Sequence, residues 1–380
     1  MKQHNLAKRL ASLGLVLAML FSMDACGTTS DQSSSGSASV EASLSGQEEE
    51  TESQTLSSES SQEVESAPQE STDGATITLT DQAGREVVLE EPAQTIVSCY
   101  YITTYATIAL GLSDRVIGLE MKADSRPIYQ MAAPQLLELP NVGSLKEFNV
   151  EAAAALEPDL VLMPVKLSSY ADTLTDLGIN VLVVDPESQE QMEEMLTLIA
   201  KACSVEERAQ ELLDYYDEKL EQVGSLTFET TPRVYMGSNS SYLETAPGEM
   251  YQSNLIELAG GENVASQLEG DYWTEVSYET ILSMDPEVII VPCGAAYTAE
   301  DISSDPQLAE VTAVKNGAVY QMPQEIEEWD SPVPSGILGV LWLTSVLHEE
   351  AYSFETFQAD VVDYYQRFYD FTIDTGLITK

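Results

Sequence analysis

Two stretches of the chain, 128 positions apart, repeat one pattern. The first runs Asn149-Val150-Glu151 through Leu156-Glu157-Pro158-Asp159-Leu160-Val161-Leu162. The second runs Val276-Ser277-Tyr278-Glu279 through Met284-Asp285-Pro286-Glu287-Val288-Ile289-Ile290. Each sets a Glu at the start of a short helix, a Pro seven residues later, one acidic residue, and then an apolar run. Proline lacks the amide that a helix interior needs, so the helix stops there, and the Leu-, Ile- and Val-rich run reads as a buried parallel strand. A unit repeated at this distance predicts two similar α/β lobes, each carrying a carboxylate in the equivalent place.

The N-terminus reads as a targeting segment. Lys2, Lys8 and Arg9 precede an apolar stretch from Leu10 to Phe21, short for a membrane span and shaped like a signal-peptide core. Met23-Asp24-Ala25-Cys26-Gly27 resembles a bacterial lipobox, although Asp24 departs from the small or apolar residue usual there. The resemblance makes residues 1–25 a lipoprotein signal peptide and Cys26 the lipidated first residue of the mature chain. Residues 26–75 are Ser-, Glu-, Gln- and Thr-rich, and from Gly27 to Ala75 they hold neither Lys nor Arg. Such a segment buries too little surface to offset its ordering entropy and is expected to be a disordered acidic tether reaching roughly 35–42 Å.

The formal charge is −48, from 64 acidic and 16 basic residues. A strongly acidic exported chain of this kind excludes nucleic acid as a partner. With Cys26 assigned to the anchor, Cys99, Cys203 and Cys293 form neither a disulfide framework nor a zinc pattern. Cys99 and Cys293 each end an apolar run in a different lobe, near a cleft between the lobes, and are expected as small buried hydrophobes.

The 305 residues from Thr76 onward are enough for two domains. Ile77 to Leu89 alternates in a hairpin pattern turning at Gly84, and Thr95–Ser98, Arg115–Leu119, Leu160–Leu162 and Ile179–Val184 read as strands between helical segments. That alternation predicts an α/β lobe over 76–190 with a parallel sheet. Residues 191–225 keep helical spacing (Met192, Met195, Leu196, Ile199, then Ala209, Leu212, Leu213, Tyr216) and predict one long backbone helix between lobes. A second α/β lobe is expected over 231–335, opening on Arg233-Val234-Tyr235-Met236, and amphipathic helices over 336–380.

The order of these segments resembles the helical-backbone class of periplasmic binding proteins, the receptors of iron–siderophore, haem and cobalamin ABC importers. The resemblance is carried by Asp81-Gln82-Ala83-Gly84-Arg85, Leu110-Gly111-Leu112-Ser113-Asp114-Arg115-Val116, Pro140-Asn141-Val142-Gly143 and both Glu–Pro units. It extends through Ala259-Gly260-Gly261-Glu262-Asn263-Val264, Ala313 to Tyr320 and Trp329-Asp330-Ser331-Pro332. It implies two α/β lobes joined by a single long helix, with ligand in the cleft between them. It also implies that Glu151 and Glu279 dock on a permease dimer served by ATPase subunits. Two carboxylates held on rigid lobes suit two symmetry-related cationic pockets and contribute orientation and on-rate more than affinity.

Cargo is read from the loops after the predicted strands, where α/β sheets place ligands. Tyr100, Tyr101, Tyr129, Tyr242, Trp273 and Trp329 supply aromatic faces suited to a planar or catecholate ligand. Lys122, Arg126, Lys146 and Lys166 concentrate scarce cations there and would focus an anionic ligand. His4 lies in the signal peptide and His348 at a helix end, expected on the surface, so a bare transition-metal site is disfavoured. The expected cargo is a ferric siderophore or related iron chelate. Haem, cobalamin or an oxyanion remain alternatives, as does a permease-independent surface haem-binding protein. No resident cofactor is called for. One His outside the signal peptide makes no Ser-His-Asp triad, and Gly111, Gly118 and Gly143 are isolated turn glycines, so an enzyme is not expected. The chain is expected lipid-anchored on the extracytoplasmic face of the cell membrane.

Overall fold

The hairpin expected at the start of the folded chain forms between β1 (Ile77–Thr80) and β2 (Glu86–Leu89), turning at Gly84 with φ +77°. The computed structural model describes residues 76–270 and 272–380, so the expected signal peptide, Cys26 and the tether of residues 26–75 lie outside the described residues. Asp81 holds the hairpin turn: Oδ1 accepts from the amides of Ala83 and Arg85 at 3.0 and 2.8 Å. Its Oδ2 accepts from the Val183 amide at 3.1 Å, which fastens the hairpin to the first lobe.

That lobe comprises β3 (Ile96–Ser98), α1 (Tyr101–Ala109), β4 (Val116–Gly118), α2 (Pro127–Ala132), α3 (Val150–Ala155), β5 (Leu160–Pro164), α4 (Ala171–Asp176) and β6 (Asn180–Val184). Its sheet is parallel throughout, in the order β4-β3-β5-β6. Next come α5 (Gln189–Cys203) and α6 (Glu206–Ser225), where one continuous helix was expected. The break is a C-terminal cap: Ser204 takes φ +54° and the Val205 amide donates back to the Ala200 carbonyl at 2.9 Å. Glu206 and Glu207 then start α6, where acidic groups suit a helix N-terminus. Both helices bury one apolar face, so the helical spacing runs through the break. α6, of 20 residues, is the long element that carries the chain to the second lobe.

The second lobe contains β7 (Arg233–Met236), β8 (Glu244–Thr245), α7 (Tyr251–Leu258), β9 (Glu262–Asn263), β10 (Thr274–Glu275), α8 (Tyr278–Met284), β11 (Val288–Val291), α9 (Ala299–Ser303), α10 (Thr312–Asn316) and β12 (Val319–Gln321). Its main sheet is again parallel, in the order β12-β11-β7-β9, with β8 and β10 forming a minor antiparallel pair. The chain finishes with α11 (Ile337–Leu347) and α12 (Phe354–Tyr369). α12 is amphipathic as expected, but α11 is buried on every side from Ile337 to Ser345, as an element at the centre of a core must be.

The two repeated units fold alike. Asn149 caps α3 by accepting from the Ala152 amide, and Ser277 caps α8 by accepting from the Thr280 amide. The residue before each proline, Glu157 or Asp285, adopts a left-handed conformation with φ +48° or +42°. The acidic residue after each proline grips the start of the neighbouring strand. Asp159 Oδ2 accepts from the amides of Gln94 and Thr95, both at 2.9 Å, and Glu287 Oε2 accepts from the Arg233 amide at 2.9 Å.

The segment between β12 and α11 runs through the middle of the molecule. Glu327 is buried, and its carboxylate accepts from Tyr365 Oη at 2.6 Å and Tyr369 Oη at 3.0 Å, both on α12. Burial pushes Glu327 up to about 7, the tyrosine hydrogen bonds opposing, and burial with nearby Glu328 pushes Asp330 up to about 7. An acid with a raised folded-state pKa keeps its proton where the unfolded chain has lost it. The stability it contributes is therefore present at low pH and lost as pH rises from roughly 4 to 7. Urea denaturation is expected to give stability that falls with pH across this window, and a shallower fall in Glu327→Gln, which cannot ionise. An identical slope in the two proteins would contradict the assignment.

Candidate ligand-binding site

In each parallel sheet the strands end on the same edge, and the loops leaving those edges meet between the lobes. They enclose a cavity of about 260 Å³. The first-lobe wall is Tyr100, Tyr101 and Ile102 after β3, Lys166 after β5, and Pro186 and Glu187 after β6. The opposite wall is Asn239 after β7, Glu249 to Gln252 at the start of α7, Tyr272 and Trp273, and Ser331 and Pro332.

A buried polar network fixes the turn that carries Tyr100 and Tyr101. Thr103 Oγ1 donates to the Tyr100 carbonyl at 2.7 Å and meets Ser98 Oγ at 2.7 Å. Thr104 Oγ1 lies 2.7 Å from both Ser98 Oγ and Glu120 Oε2, and Tyr129 Oη donates to Glu120 Oε1 at 2.6 Å. Burial pushes the Glu120 carboxyl up, and the Tyr129 and Thr104 hydrogen bonds pull the other way. Tyr100, Tyr101, Tyr105 and Tyr129 form an edge-to-face series, with ring centroids 4.8, 5.5 and 5.6 Å apart, running from the cavity into the core. Burial raises all four phenols, Tyr101 to about 12, so near neutral pH each hydroxyl is a neutral hydrogen-bonding group.

The N-termini of α1 and α7 reach this cavity from opposite lobes. Neither cap residue, Tyr100 or Met250, makes a side-chain cap hydrogen bond, and the first-turn residues Tyr101, Ile102, Tyr251 and Gln252 all line the wall. Amides at such ends point outward with the positive pole of the helix dipole. Among the described residues, Tyr251 Oη and Gln252 Oε1 on that wall are buried without a hydrogen-bond partner, as are Asp330 Oδ1 and Ser335 Oγ nearby in the chain. Sequence reasoning missed Tyr251 and Gln252. The turn signal Pro247-Gly248 ahead of a helical run was the available cue to a loop-to-helix entry there.

Of the residues named from sequence, the cavity brings together Tyr100, Tyr101, Lys166 and Trp273. Tyr129 lies beneath it on Glu120. Trp329 is fully buried, its indole donating to Tyr365 Oη at 3.0 Å and its ring edge-on to Phe357, so it is a core residue with no face on the cleft. Tyr242 donates to Asp305 at 2.9 Å and packs against Tyr297 within the second lobe. The four cations do not form one patch. Lys122 is exposed ahead of a 3-10 turn, and Lys146 is exposed in the Ser144–Glu147 turn. Arg126 lies over the Tyr101 ring at 4.1 Å and pairs with Glu328. Lys166 alone reaches the cavity, where Glu187 and Glu249 also stand.

Glu151 and Glu279 are both exposed in the first turns of their capped helices. A helix that precedes a parallel strand runs back against it, which puts both carboxylates at the strand ends that also face the cleft. The Glu279 carboxyl is held below the usual range by its own backbone amide and by Ser277. Cys99, Cys203 and Cys293 are buried free thiols, all pushed up by burial. His348 departs from the surface position expected of it. It is buried, stacks on Phe228 with centroids 3.8 Å apart and contacts the Gly260 carbonyl, beside an open hollow of about 680 Å³ on the flank of the second lobe. Burial lowers its pKa. Among the described residues no group of three or more His, Cys, Asp or Glu side chains comes together to hold a metal ion.

A family model described as periplasmic binding protein matches residues 96–326. The molybdate-binding protein MolA of Haemophilus influenzae is 25% identical over 324 residues, covering 77% of this chain and 90% of that protein. An uncharacterized ABC transporter substrate-binding lipoprotein of Bacillus subtilis, YvrC, is 25% identical over 266 residues, covering 67% and 81%. The crystal structure of a periplasmic solute binding protein from Veillonella parvula superposes with a TM-score of 0.71 at 23% identity, covering 80% of this chain and 95% of that one.

Proposed function

The chain belongs to the periplasmic binding protein family, and from that premise we propose that its cleft captures a compact ligand bearing anionic oxygens, an oxyanion such as molybdate. As a member of that family the chain is the substrate-binding component of an ABC importer, acting outside the cytoplasm with a cognate permease and ATPase. The observation that carries the ligand reading is the convergence of two uncapped helix N-termini, from α1 and α7, on one cavity. Oriented amides at helix ends are ready-made anion sites. At about 260 Å³ the cavity falls below the roughly 300–1,000 Å³ of pockets that enclose drug-sized ligands. Lys166 adds a cation at the same wall, and the relative from Haemophilus influenzae is named for molybdate.

A second reading, a ferric siderophore or related iron chelate, is favoured by the aromatic wall of Tyr100, Tyr101, Tyr272 and Trp273. Tyr272 is 66% exposed, so a bulky chelate would sit across the mouth of the cavity. Haem and cobalamin, larger still, would require the lobes to part.

Glu151 and Glu279 are assigned the permease contacts. Their support is equivalence: the same capped helix, the same position in it and the same left-handed junction before proline, once in each lobe. An anchor through Cys26 is supported by the sequence there and by the Bacillus subtilis relative being named a lipoprotein.

Trp273 makes the ligand assignment measurable. Titration with sodium molybdate is expected to give a saturable change in tryptophan fluorescence, and Lys166→Glu is expected to weaken the affinity about tenfold or more, at least about 1.4 kcal/mol. No response to molybdate but saturation by a ferric tris-catecholate would transfer the assignment to the second reading. The paired change Glu151→Ala with Glu279→Ala is expected to abolish uptake by cells while leaving the dissociation constant unchanged. Undiminished uptake by that variant would remove the docking role.

A further inference from the structure

We propose that Arg126 and Glu328 form a strut that fixes the separation of the lobes and seats Tyr101 in the cleft wall, so that Arg126 positions the binding surface without contacting ligand. Arg126 leads into α2 of the first lobe, whereas Glu328 belongs to the segment after β12, 202 positions further along the chain. Both oxygens of the Glu328 carboxylate are taken by the first lobe. Arg126 Nη1 pairs with Oε1, and Tyr105 Oη, on α1, donates to Oε2 at 2.6 Å. The two charged side chains are only 25% and 27% exposed, so water screens this pair less than an ordinary surface pair. Arg126 Cζ lies over the Tyr101 ring, 4.1 Å from its centroid, and Tyr101 also meets the rings of Tyr100 and Tyr105 edge to face. Although burial works against its charge, Glu328 and the surrounding tyrosines hold the Arg126 pKa above its ordinary value.

A strut needs firm ends. On the far side, Glu327 is held by Tyr365 and Tyr369 of α12, and the Trp329 indole by Tyr365. The Asp330 carbonyl accepts from Gln252 Nε2 at 2.8 Å, which ties the same segment to α7 in the opposite cleft wall. On the near side, Tyr105 and Tyr129 of the first lobe are fully buried. One ion pair thus links the α1 wall to the α7 wall through backbone fixed at both ends.

The positioning role rests on the cleft being the ligand site; the strut itself does not. The full chain with Cys26→Ser would carry spin labels at Asp176→Cys and Glu300→Cys, exposed positions in opposite lobes, the three native cysteines being buried. Double electron–electron resonance without ligand is expected to show longer, broader distances in Arg126→Ala and Glu328→Ala than in the parent. The exchanged pair Arg126→Glu with Glu328→Arg should restore part of the parent distribution. Should the alanine variants fail to fold, Glu328→Gln, which is isosteric and keeps an acceptor for Tyr105, is read in their place. Parent-like distances in every variant that folds would overturn the strut.

Arg126→Lys keeps the charge but replaces the guanidinium over Tyr101 with a compact ammonium. It is expected to retain the parent distance while losing about tenfold in molybdate affinity. Parent affinity in both Arg126→Lys and Arg126→Ala would overturn the positioning role. A parent that binds no molybdate would count against the ligand assignment, and the distance measurement would still decide the strut.

Discussion

One hydrophobic core is shared by both lobes, and the other features of the molecule are arranged around it. It runs from Ile96, Leu160 and Leu182 in the first sheet, through α1, α5, α6, α11 and α12, to Val234 and Ile290 in the second. Each sheet gives one face to this common core and keeps the other for its own lobe. The private cores gather around Val97, Val161 and Val181 in the first lobe and around Tyr235, Ile289 and Val291 in the second. Alternation along a strand makes this division possible, because neighbouring residues point to opposite faces. Burying a large apolar side chain is worth about 1.5–3 kcal/mol, so lobes that share so many of them cannot separate widely without exposing them. The cleft is correspondingly narrow.

What the sequence disclosed was whatever depends on near neighbours. The hairpin, the repeated units and the parallel strands follow from Pro, Gly and the period of apolar residues. The division between α5 and α6 was hidden because a capped break leaves helical spacing undisturbed on either side. Side-chain direction was hidden too. Lys122, Lys146 and Lys166 were all expected in cleft loops after strands, yet only Lys166 turns into the cavity, and Lys146 lies between α2 and α3. Trp329 stands among polar residues in the chain but inserts beneath α11, where Gly339 lets its carbonyl approach closely. Tyr251 and Gln252 reach the site because α7 starts there, a fact of tertiary placement that periodicity does not contain.

The acidic character of the chain has two different physical settings. Among the described residues most carboxylates are not buried, but Glu120, Glu327 and Asp330 are, and each sits behind or beside the cleft with its pKa raised. Hydroxyl groups of Thr104 and Tyr129 answer Glu120, and those of Tyr365 and Tyr369 answer Glu327. A carboxyl group satisfied by hydroxyls in a dry setting fixes geometry through hydrogen bonds, which are directional, where a free charge would invite water. Where charge is half-buried at this interface it is paired, as in Arg126–Glu328, and the cation lies over an aromatic face.

The acidic residue after each repeated proline has a mechanical consequence. Asp159 and Glu287 clamp the entrance of the neighbouring strand, so the short helix on the other side of the proline is bolted to its sheet. Glu151 and Glu279 therefore move only as their sheets move. A small displacement between the lobes passes undiminished into the gap between these two surface carboxylates. The pair behaves as the jaws of a caliper, and the width it presents outside is a reading of the cleft within.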